Sequence, residues 1–247
     1  VSGASTAQLV ILLVDARNGV VAQTRRHAAV MALLSAGERT RYDRFLFDRA
    51  RRQFLLARAL VRTVLSQYAV LGAHDWEFAT TEHGKPYVAP RLGLAHLQFN
   101  HSHADALVAC AVTHSQAVGV DVESLAREVD CRIARHCLSP TELSVFHDTD
   151  PSHQQQFLLR RWTVKEAYTK ARGLGLSLRF SALSFSFEPD GRPILVQDAT
   201  ASDAPQQWQF HQQILDDRHY LAVAVQRQAD RPCRFVVRRS LPLLAAE

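Results

Sequence analysis

Two segments of this chain carry carboxylates at spacings that could hold a metal ion. In the first, from Val118 to Glu123, valines alternate with Gly119, Asp121 and Glu123. This alternation predicts a strand with one apolar face. Asp121 and Glu123 then project from the other face, where two carboxylates repel each other unless a cation lies between them. Taken alone, the segment fits equally well a solvated strand edge with unrelated acids.

The second segment, from Phe157 to Leu178, predicts a helix that stops at its glycines. Trp162, Glu166 and Lys170 follow at four-residue steps and therefore share one helix face. By itself, a Glu166–Lys170 pair is most often an ordinary surface ion pair. We expect Trp162 to pack in the core rather than to take part in catalysis.

The two segments together predict a magnesium site. If the helix packs on the strand, Glu166 approaches Asp121 and Glu123. Three carboxylates offer hard oxygen ligands, which suit Mg²⁺ together with phosphate oxygens and water.

In order and spacing, these segments resemble the signature pair of the 4′-phosphopantetheinyl transferases, the Sfp-like group. That family carries Gly-(Ile/Val)-Asp-(Ile/Val)-Glu on a strand and Trp-x-x-Lys-Glu-(Ala/Ser)-x-x-x-Lys on a later helix. Here the motifs stand at Gly119–Glu123 and Trp162–Lys170. The resemblance implies an Mg²⁺-dependent enzyme that moves 4′-phosphopantetheine from coenzyme A to a serine of an apo acyl or peptidyl carrier protein and releases 3′,5′-ADP.

The resemblance also implies roles for the motif residues. Asp121, Glu123 and Glu166 would hold Mg²⁺, which makes Asp121 part of the catalytic set. Glu166, directly or through a metal-bound water, would take the serine proton. Lys170 would stabilise or protonate the departing ADP, and Lys165 would bind phosphate.

Three further motifs resemble the family's coenzyme A contacts. Ser102 and His103 lie in a Phe-Asn-x-Ser-His element that implies contact with the 3′-phosphate and adenosine end. His101 occupies the variable place and receives no role. Lys85, in Gly-Lys-Pro, would meet the coenzyme phosphates. Arg41 would bind the 3′-phosphate, a role that Arg44 or Arg49 could fill instead.

The His-x-His element leaves other interpretations open. On a strand, His101 and His103 point to the same side and could bind a metal, although no third ligand stands nearby in sequence. A plain capping and turn role for this stretch also remains open.

Four blocks of the first half recur in the same order in the second. They pair as Leu34–Glu38 with Leu138–Glu142, Gln53–Arg58 with Gln156–Arg161, Gly84–Pro86 with Gly191–Pro193, and Leu107–Val112 with Leu221–Val225. This order indicates an internal duplication. We therefore predict an α+β fold of two pseudo-symmetric tandem halves, 1–115 and 116–247. Each half is a long helix packed on a small antiparallel sheet, with the ligand cleft between them. By the resemblance, the first half would contact coenzyme A and the second would carry the metal and catalytic residues.

Local patterns predict individual elements. Ser35 and Glu38 form a capping-box pattern that starts a helix expected to reach Phe47. A longer helix is predicted over 49–69, with strands over 10–14, 76–80, 107–112 and a last strand around 235–237.

Composition sets the broad class. The chain has 247 residues, of which 47% are hydrophobic and 21% charged, with a net charge of +5, so a globular protein with acidic partners is expected. No apolar run is long enough to span a bilayer. The run Leu9–Val14 ends at Asp15 without a basic segment before it, which disfavours a signal peptide. We expect a cytoplasmic protein that binds neither membrane nor nucleic acid, with its four cysteines reduced. Since the duplication supplies a cleft within one chain, we also expect a monomer.

Two other functions remain open at this stage. A metal-dependent nuclease would use acids and a lysine on a basic protein, but the Glu-x-Lys that usually follows its first Asp is missing here. A non-catalytic coenzyme A or nucleotide-binding module would lack a catalytic group, whereas all three acids and Lys170 are present.

Overall fold

The computed structural model describes residues 8–15, 24–105, 107–200, 205–227 and 232–239. In chain order the helices and strands are β1 (Gln8–Asp15), α1 (Thr24–Ala32), α2 (Ala36–Asp43), α3 (Asp48–Leu65), β2 (Phe78–Thr80), β3 (Pro86–Val88), β4 (Leu97–Ala104), β5 (Leu107–His114), β6 (Val118–Ser124), α4 (Ala134–Cys137), α5 (Pro140–Asp148), α6 (Pro151–Arg172), β7 (Leu183–Phe187), β8 (Pro193–Asp198), β9 (Trp208–Leu215), β10 (His219–Gln226) and β11 (Arg234–Arg239).

The repeated sequence blocks fold into repeated structure. In the first half, β5 lies between β1 and β4, all antiparallel neighbours, and α3 packs on β4 and β5. In the second half, β10 lies between β6 and β9 in the same way, and α6 packs on β6 and β10. Each half adds a hairpin, β2–β3 or β7–β8, whose turn contains the repeated glycine and whose second strand begins at the repeated proline. The predicted α+β fold with two similar halves is confirmed.

Both halves start their helix pair with the same cap. Ser35 and Glu38 form a capping box at α2, and Ser139 and Glu142 form one at α5. The first cap was predicted from the sequence. The helix it starts ends at Asp43, short of the predicted Phe47, because the chain turns there to begin α3 at Asp48.

The last strand crosses the predicted boundary between the halves. β11 forms where a final strand was predicted, but it pairs in parallel with β1. Residues 234–239 therefore extend the sheet of the first half, although they follow the second half in sequence. Local patterns could not predict this pairing, because the tertiary fold decides which strands become neighbours.

The described cysteines, Cys110, Cys131, Cys137 and Cys233, are free thiols. Among the described helices, none combines the length and the apolar character that a membrane crossing requires.

The two halves meet where β4 lies beside β6. The Asn100 side-chain oxygen accepts the Val120 amide at 2.9 Å, and the Ser102 hydroxyl accepts the Val122 amide at 3.3 Å. These bonds replace a strand-to-strand ladder with side-chain links between the sheets. As a result, the polar end of β4 lies next to the acidic strand β6.

Gly119 sets how closely α6 approaches β6. A Cβ at this position would overlap the Ala167 carbonyl oxygen and the Ala171 amide nitrogen, both of them backbone atoms of α6. Backbone atoms in a packed helix cannot move aside as a flexible side chain can. Only glycine therefore permits this helix-to-strand distance.

We predict that Gly119→Ala lowers the free energy of unfolding by more than about 3 kcal/mol or prevents folding, because the methyl group must displace a helix backbone. Urea denaturation followed by circular dichroism measures the effect. Gly37→Ala is the matched control: Gly37 lies in α2 with open space around its Cβ position, so alanine should stabilise by up to about 1 kcal/mol. Equal stability of Gly119→Ala and wild type would contradict the close contact.

Candidate active site

A cavity of about 740 Å³ opens where β4, β6 and α6 meet. Both sequence motifs and part of the Phe-Asn-x-Ser-His element contribute to its wall. The lining residues are Arg49, His101, Ser102, His103, Ala104, Asp105, Asp121, Val122, Glu123, Ser124, Ala126, Arg127, Trp162, Glu166 and Lys170. The three acids and the lysine predicted from the motifs therefore share one site.

A three-membered polar cluster joins the halves at the cavity floor. Lys170 Nζ donates to Asp121 Oδ1 at 2.5 Å and to Ser102 Oγ at 3.0 Å. The Ser102 hydroxyl donates to the same Asp121 oxygen at 2.9 Å. Asp121 is buried, and its second oxygen, Oδ2, has no hydrogen-bond partner among the described residues. This oxygen can accept a further ligand.

Glu123 is held in place by its neighbours. Its Oε1 accepts the Trp162 indole N–H at 2.9 Å and the Arg127 guanidinium at 2.6 Å. The indole packs edge-to-face on Phe180, with ring centroids 5.2 Å apart. Burial and the nearby Asp121 raise the pKa of Glu123, and the Arg127 and Trp162 hydrogen bonds partly offset that rise. Trp162 thus both packs, as predicted, and orients a carboxylate.

Glu166 is the least compensated of the three acids. Within the described part of the chain, no group donates a hydrogen bond to its carboxylate. Burial and then the Asp121 charge raise its pKa, and Glu123 adds to the rise, while Lys170 opposes it. A carboxyl with a raised pKa beside a cavity is a typical proton acceptor or metal ligand that awaits a positive partner.

The donor set fits Mg²⁺ in chemistry, although the side chains are not arranged around an ion. Among the described residues, no three histidine, cysteine, aspartate or glutamate side chains are placed to hold a metal as they stand. Asp121 Oδ1 is bound by Lys170, and Glu123 Oε1 by Arg127 and Trp162. The unpartnered Asp121 Oδ2 and the Glu166 carboxylate are among the oxygens left for a hard cation.

The predicted coenzyme A contacts divide into those at the cavity and those away from it. Ser102 and His103 line it, and burial and Lys170 lower the pKa of His103. Arg41 stands outside the lining, with its guanidinium 5.6 Å from the centre of the Phe54 ring. Arg49, the alternative to Arg41, does line the cavity and pairs with Asp105 at 2.6 Å.

Lys85 requires a correction. Its Nζ donates to the Val118 carbonyl at 3.1 Å and the Ala171 carbonyl at 3.0 Å, away from the cavity wall. Burial lowers its pKa to about 8. The side chain therefore links the first-half hairpin turn to β6 and α6 of the second half, and in this position it does not meet a coenzyme phosphate.

Lys165 requires a second correction, because it lies in the core. Its side chain is 0% exposed, and its Nζ donates to Glu142 Oε2 at 2.5 Å and to the Cys137 and Phe180 carbonyls. The first half contains the equivalent pair, in which buried Arg62 binds Glu38 at 2.6 Å. Lys165 is thus a structural residue, and the predicted phosphate contact is incompatible with its place.

Arg127 and His101 are among the cavity residues that had no role in the sequence prediction. Arg127 forms an ion pair with Glu123. The four-residue spacing between the two could have predicted this pair from the sequence. His101 lies on β4 with a buried Nδ1 that has no hydrogen-bond partner among the described residues. Burial first, then the nearby Arg58, lower the pKa of His101 to about 3. His101 therefore stays neutral at physiological pH.

Comparison with known proteins assigns the family. A model of the 4′-phosphopantetheinyl transferase superfamily matches residues 117–224, and a model of the 4′-phosphopantetheinyl transferase N-terminal region matches residues 22–115. The 4′-phosphopantetheinyl transferase HetI of a Nostoc species is 31% identical over 195 residues, which cover 78% of this chain and 79% of HetI. The 4′-phosphopantetheinyl transferase Sfp of Bacillus subtilis is 35% identical over 162 residues, which cover 66% of this chain and 70% of Sfp. This chain belongs to the 4′-phosphopantetheinyl transferase superfamily.

The position of His101 predicts a pH dependence of stability. The unfolded chain binds a proton at this histidine below its ordinary pKa of 6.5, whereas the folded protein does not until pH nears 3. The contribution of the neutral His101 to the free energy of unfolding is therefore fully present above about pH 6.5 and is lost as the pH falls below it. Between pH 7 and pH 5, wild type should lose about 2 kcal/mol more than His101→Leu. Urea denaturation at both values measures this, and His101→Gln, which cannot titrate either, should match the leucine variant. Equal losses in wild type and both variants would show that His101 is not held neutral.

The corrected role of Lys165 makes a second prediction. Lys165→Met leaves the Glu142 carboxylate buried without its partner, so the free energy of unfolding should fall by about 3–5 kcal/mol. Adding Glu142→Gln removes the unpaired charge and should restore part of the loss. The affinity of the folded fraction for coenzyme A, measured by titration calorimetry at low temperature, should change less than about twofold. A fully stable Lys165→Met with weak coenzyme A binding would instead support the phosphate role.

Proposed function

We propose that this protein transfers 4′-phosphopantetheine from coenzyme A to a serine hydroxyl of an apo acyl or peptidyl carrier protein and releases 3′,5′-ADP. The observation that carries the proposal is the convergence of Asp121, Glu123, Glu166 and Lys170 on one cavity, in a member of this transferase superfamily. The names of relatives such as HetI and Sfp support the same reaction.

The bonds that form and break in this reaction suggest roles for Glu166 and Lys170. The serine oxygen forms a bond to the phosphorus that carries the pantetheine, and the bond from that phosphorus to the bridging oxygen breaks. The serine proton passes to Glu166, whose raised pKa and lack of a hydrogen-bond donor suit a general base. Lys170 donates a hydrogen bond to the leaving oxygen of 3′,5′-ADP. In the structure the Lys170 ammonium is bound to the Asp121 carboxylate, at the same end of the cavity.

Mg²⁺ is proposed as the cofactor, held by Asp121, Glu123 and Glu166. When bound, it supplies positive charge to the pyrophosphate oxygens. The free Oδ2 of Asp121 is the oxygen best placed to accept it. Binding at this carboxylate would also loosen the Asp121–Lys170 pair and make the ammonium available to the coenzyme.

The two halves contribute different groups to the cavity. The first half contributes Arg49 and His103 to the cavity, and Ser102 at its floor, as contacts to coenzyme A. The second half contributes Asp121, Glu123, Glu166 and Lys170. We propose this division of labour between residues 1–115 and 116–247 and expect a cytoplasmic monomer, with the net charge of +5 favouring an acidic carrier protein.

Intact-mass spectrometry of an apo carrier protein incubated with coenzyme A and Mg²⁺ tests the reaction. We predict a gain of one phosphopantetheine group, which is lost on chelation. Glu166→Gln should lower kcat at least about 100-fold, because a general base contributes on the order of 10²–10⁴. Glu128→Gln, which removes an exposed acid from the same half, is the matched control and should keep full activity.

If the protein binds coenzyme A but modifies no carrier protein from several classes, the transferase function is rejected. A non-catalytic binding module would then be the remaining interpretation. Cleavage of DNA under the same conditions would instead support a nuclease.

A further inference from the structure

Arg127 lines the cavity and has no part in the proposed reaction. It follows the end of β6, and its guanidinium donates to Glu123 Oε1 at 2.6 Å. The same carboxylate oxygen accepts the Trp162 indole N–H at 2.9 Å, and the Arg127 guanidinium carbon lies 5.5 Å from the centre of the indole ring. Arg127 therefore binds a carboxylate that the proposed metal ion would use.

The backbone around Arg127 is fixed by contacts to other parts of the second half. The Arg127 amide donates to the Ser124 carbonyl at 3.0 Å, which turns the chain back at the end of β6. The Leu125 amide donates to the Arg218 carbonyl at 2.7 Å. The Gln155 side chain on α6 donates to the Arg127 carbonyl at 3.2 Å. An ordinary surface ion pair lacks such support and contributes little, because two mobile side chains must lose conformational freedom to meet.

Side-chain cations already compensate much of the charge of the three acids. Lys170 binds Asp121 at 2.5 Å. Arg127 binds Glu123 at 2.6 Å, and the two cations together carry the charge of one Mg²⁺. Burial and the nearby Asp121 raise the pKa of Glu166, and both cations lower it. A metal ion that binds here therefore replaces positive charge that the protein itself supplies.

Arg127 can leave Glu123 more easily than Glu123 can leave the cavity. The Arg127 side chain is 45% exposed, whereas that of Glu123 is 13% exposed. A guanidinium that turns outward is hydrated again, so separating this pair costs little beyond the ion-pair energy itself. Trp162 would still hold the carboxylate through its indole N–H. Glu123 therefore stays at the cavity when Arg127 moves away.

We propose that Arg127 is a positioning residue that takes the place of the metal ion at Glu123. In metal-free protein it neutralises this carboxylate and holds it at the cavity. When a divalent cation binds, Arg127 turns out into water and Trp162 keeps the carboxylate in place. The inference rests on the proposed function, since it concerns the metal ion of the same reaction. Because the cation must compete with an internal positive charge, Arg127 weakens metal binding.

Metal binding to the coenzyme-free protein tests this inference without the transfer reaction. Mn²⁺ suits the same oxygen ligands as Mg²⁺, and electron paramagnetic resonance measures its free concentration during a titration. Arg127→Gln keeps a polar side chain but removes the charge. This variant should bind Mn²⁺ about three- to tenfold more tightly than wild type, because the competing ion pair is gone.

Two control variants separate charge from structure. Arg127→Lys keeps the positive charge, so its Kd for Mn²⁺ should stay within about twofold of wild type. Arg132→Gln removes an arginine from the same segment whose side chain is 89% exposed and pairs with Asp130. Its Kd should also stay within about twofold of wild type. Thermal unfolding shows that each variant is folded before it is titrated. A merely structural role of Arg127 would not tighten metal binding in Arg127→Gln.

The outcomes distinguish this inference from the proposed function. Tighter Mn²⁺ binding by Arg127→Gln would support it even if no carrier protein were modified. An unchanged or weaker Mn²⁺ affinity in folded Arg127→Gln would overturn it even if a carrier protein were modified normally. If the same variant instead bound coenzyme A more weakly, Arg127 would be a phosphate ligand.

The titrations are repeated with 3′,5′-ADP present, so that a Kd too weak to measure in the coenzyme-free protein still permits the comparison. Wild type and Arg127→Gln that both fail to bind Mn²⁺ under either condition would overturn the inference as well.

Discussion

The contact between Gly119 and the backbone of α6 is the constraint on which the site depends. Because glycine lets α6 lie directly on β6, the acids that follow Gly119 on β6 reach residues of α6: Asp121 bonds to Lys170, and Glu123 to Trp162. Lys85 stabilises the same contact, because its Nζ donates hydrogen bonds to the carbonyls of Val118 on β6 and Ala171 on α6. A wider spacing would leave Asp121 out of reach of Lys170, so a residue without a side chain determines the geometry of the charged ones.

The duplicated halves share a framework but not their chemistry. Glu38 with Arg62, and Glu142 with Lys165, are the same ion pair in two copies, part-buried in the first half and buried in the second, and each links the start of a short helix to a long one. Removing one partner from such a pair is costly, which gives a structural reason for both to persist. The three motif carboxylates of the cavity, Asp121, Glu123 and Glu166, come from the second copy alone.

Sequence reasoning succeeded where a pattern has a geometric meaning and was wrong where a charge needed a partner to be interpreted. Strand alternation and four-residue helix spacing predicted that Asp121, Glu123 and Glu166 lie close together, and they line one cavity; the repeats predicted both sheets. A lysine within a motif looks the same whether it faces a ligand or a buried carboxylate. The partner of Lys165 is Glu142, on a different helix, and the acceptors of Lys85 are carbonyls of the other half. The prediction gave His101 no role, because a variable position in a motif does not indicate whether its side chain lines a cavity.

The two sides of the cavity carry electrostatic strain of opposite sign, which would favour joint binding of coenzyme A and the proposed metal ion. On one side, burial and mutual repulsion raise the pKa values of Glu123 and Glu166. On the other, burial and neighbouring cations lower the pKa values of His101 and His103. A phosphate alone would relieve the basic side but add to the repulsion on the acidic side, and a divalent cation alone would do the reverse. Coenzyme A and Mg²⁺ together place charge of the required sign at both, so each should bind more tightly in the presence of the other.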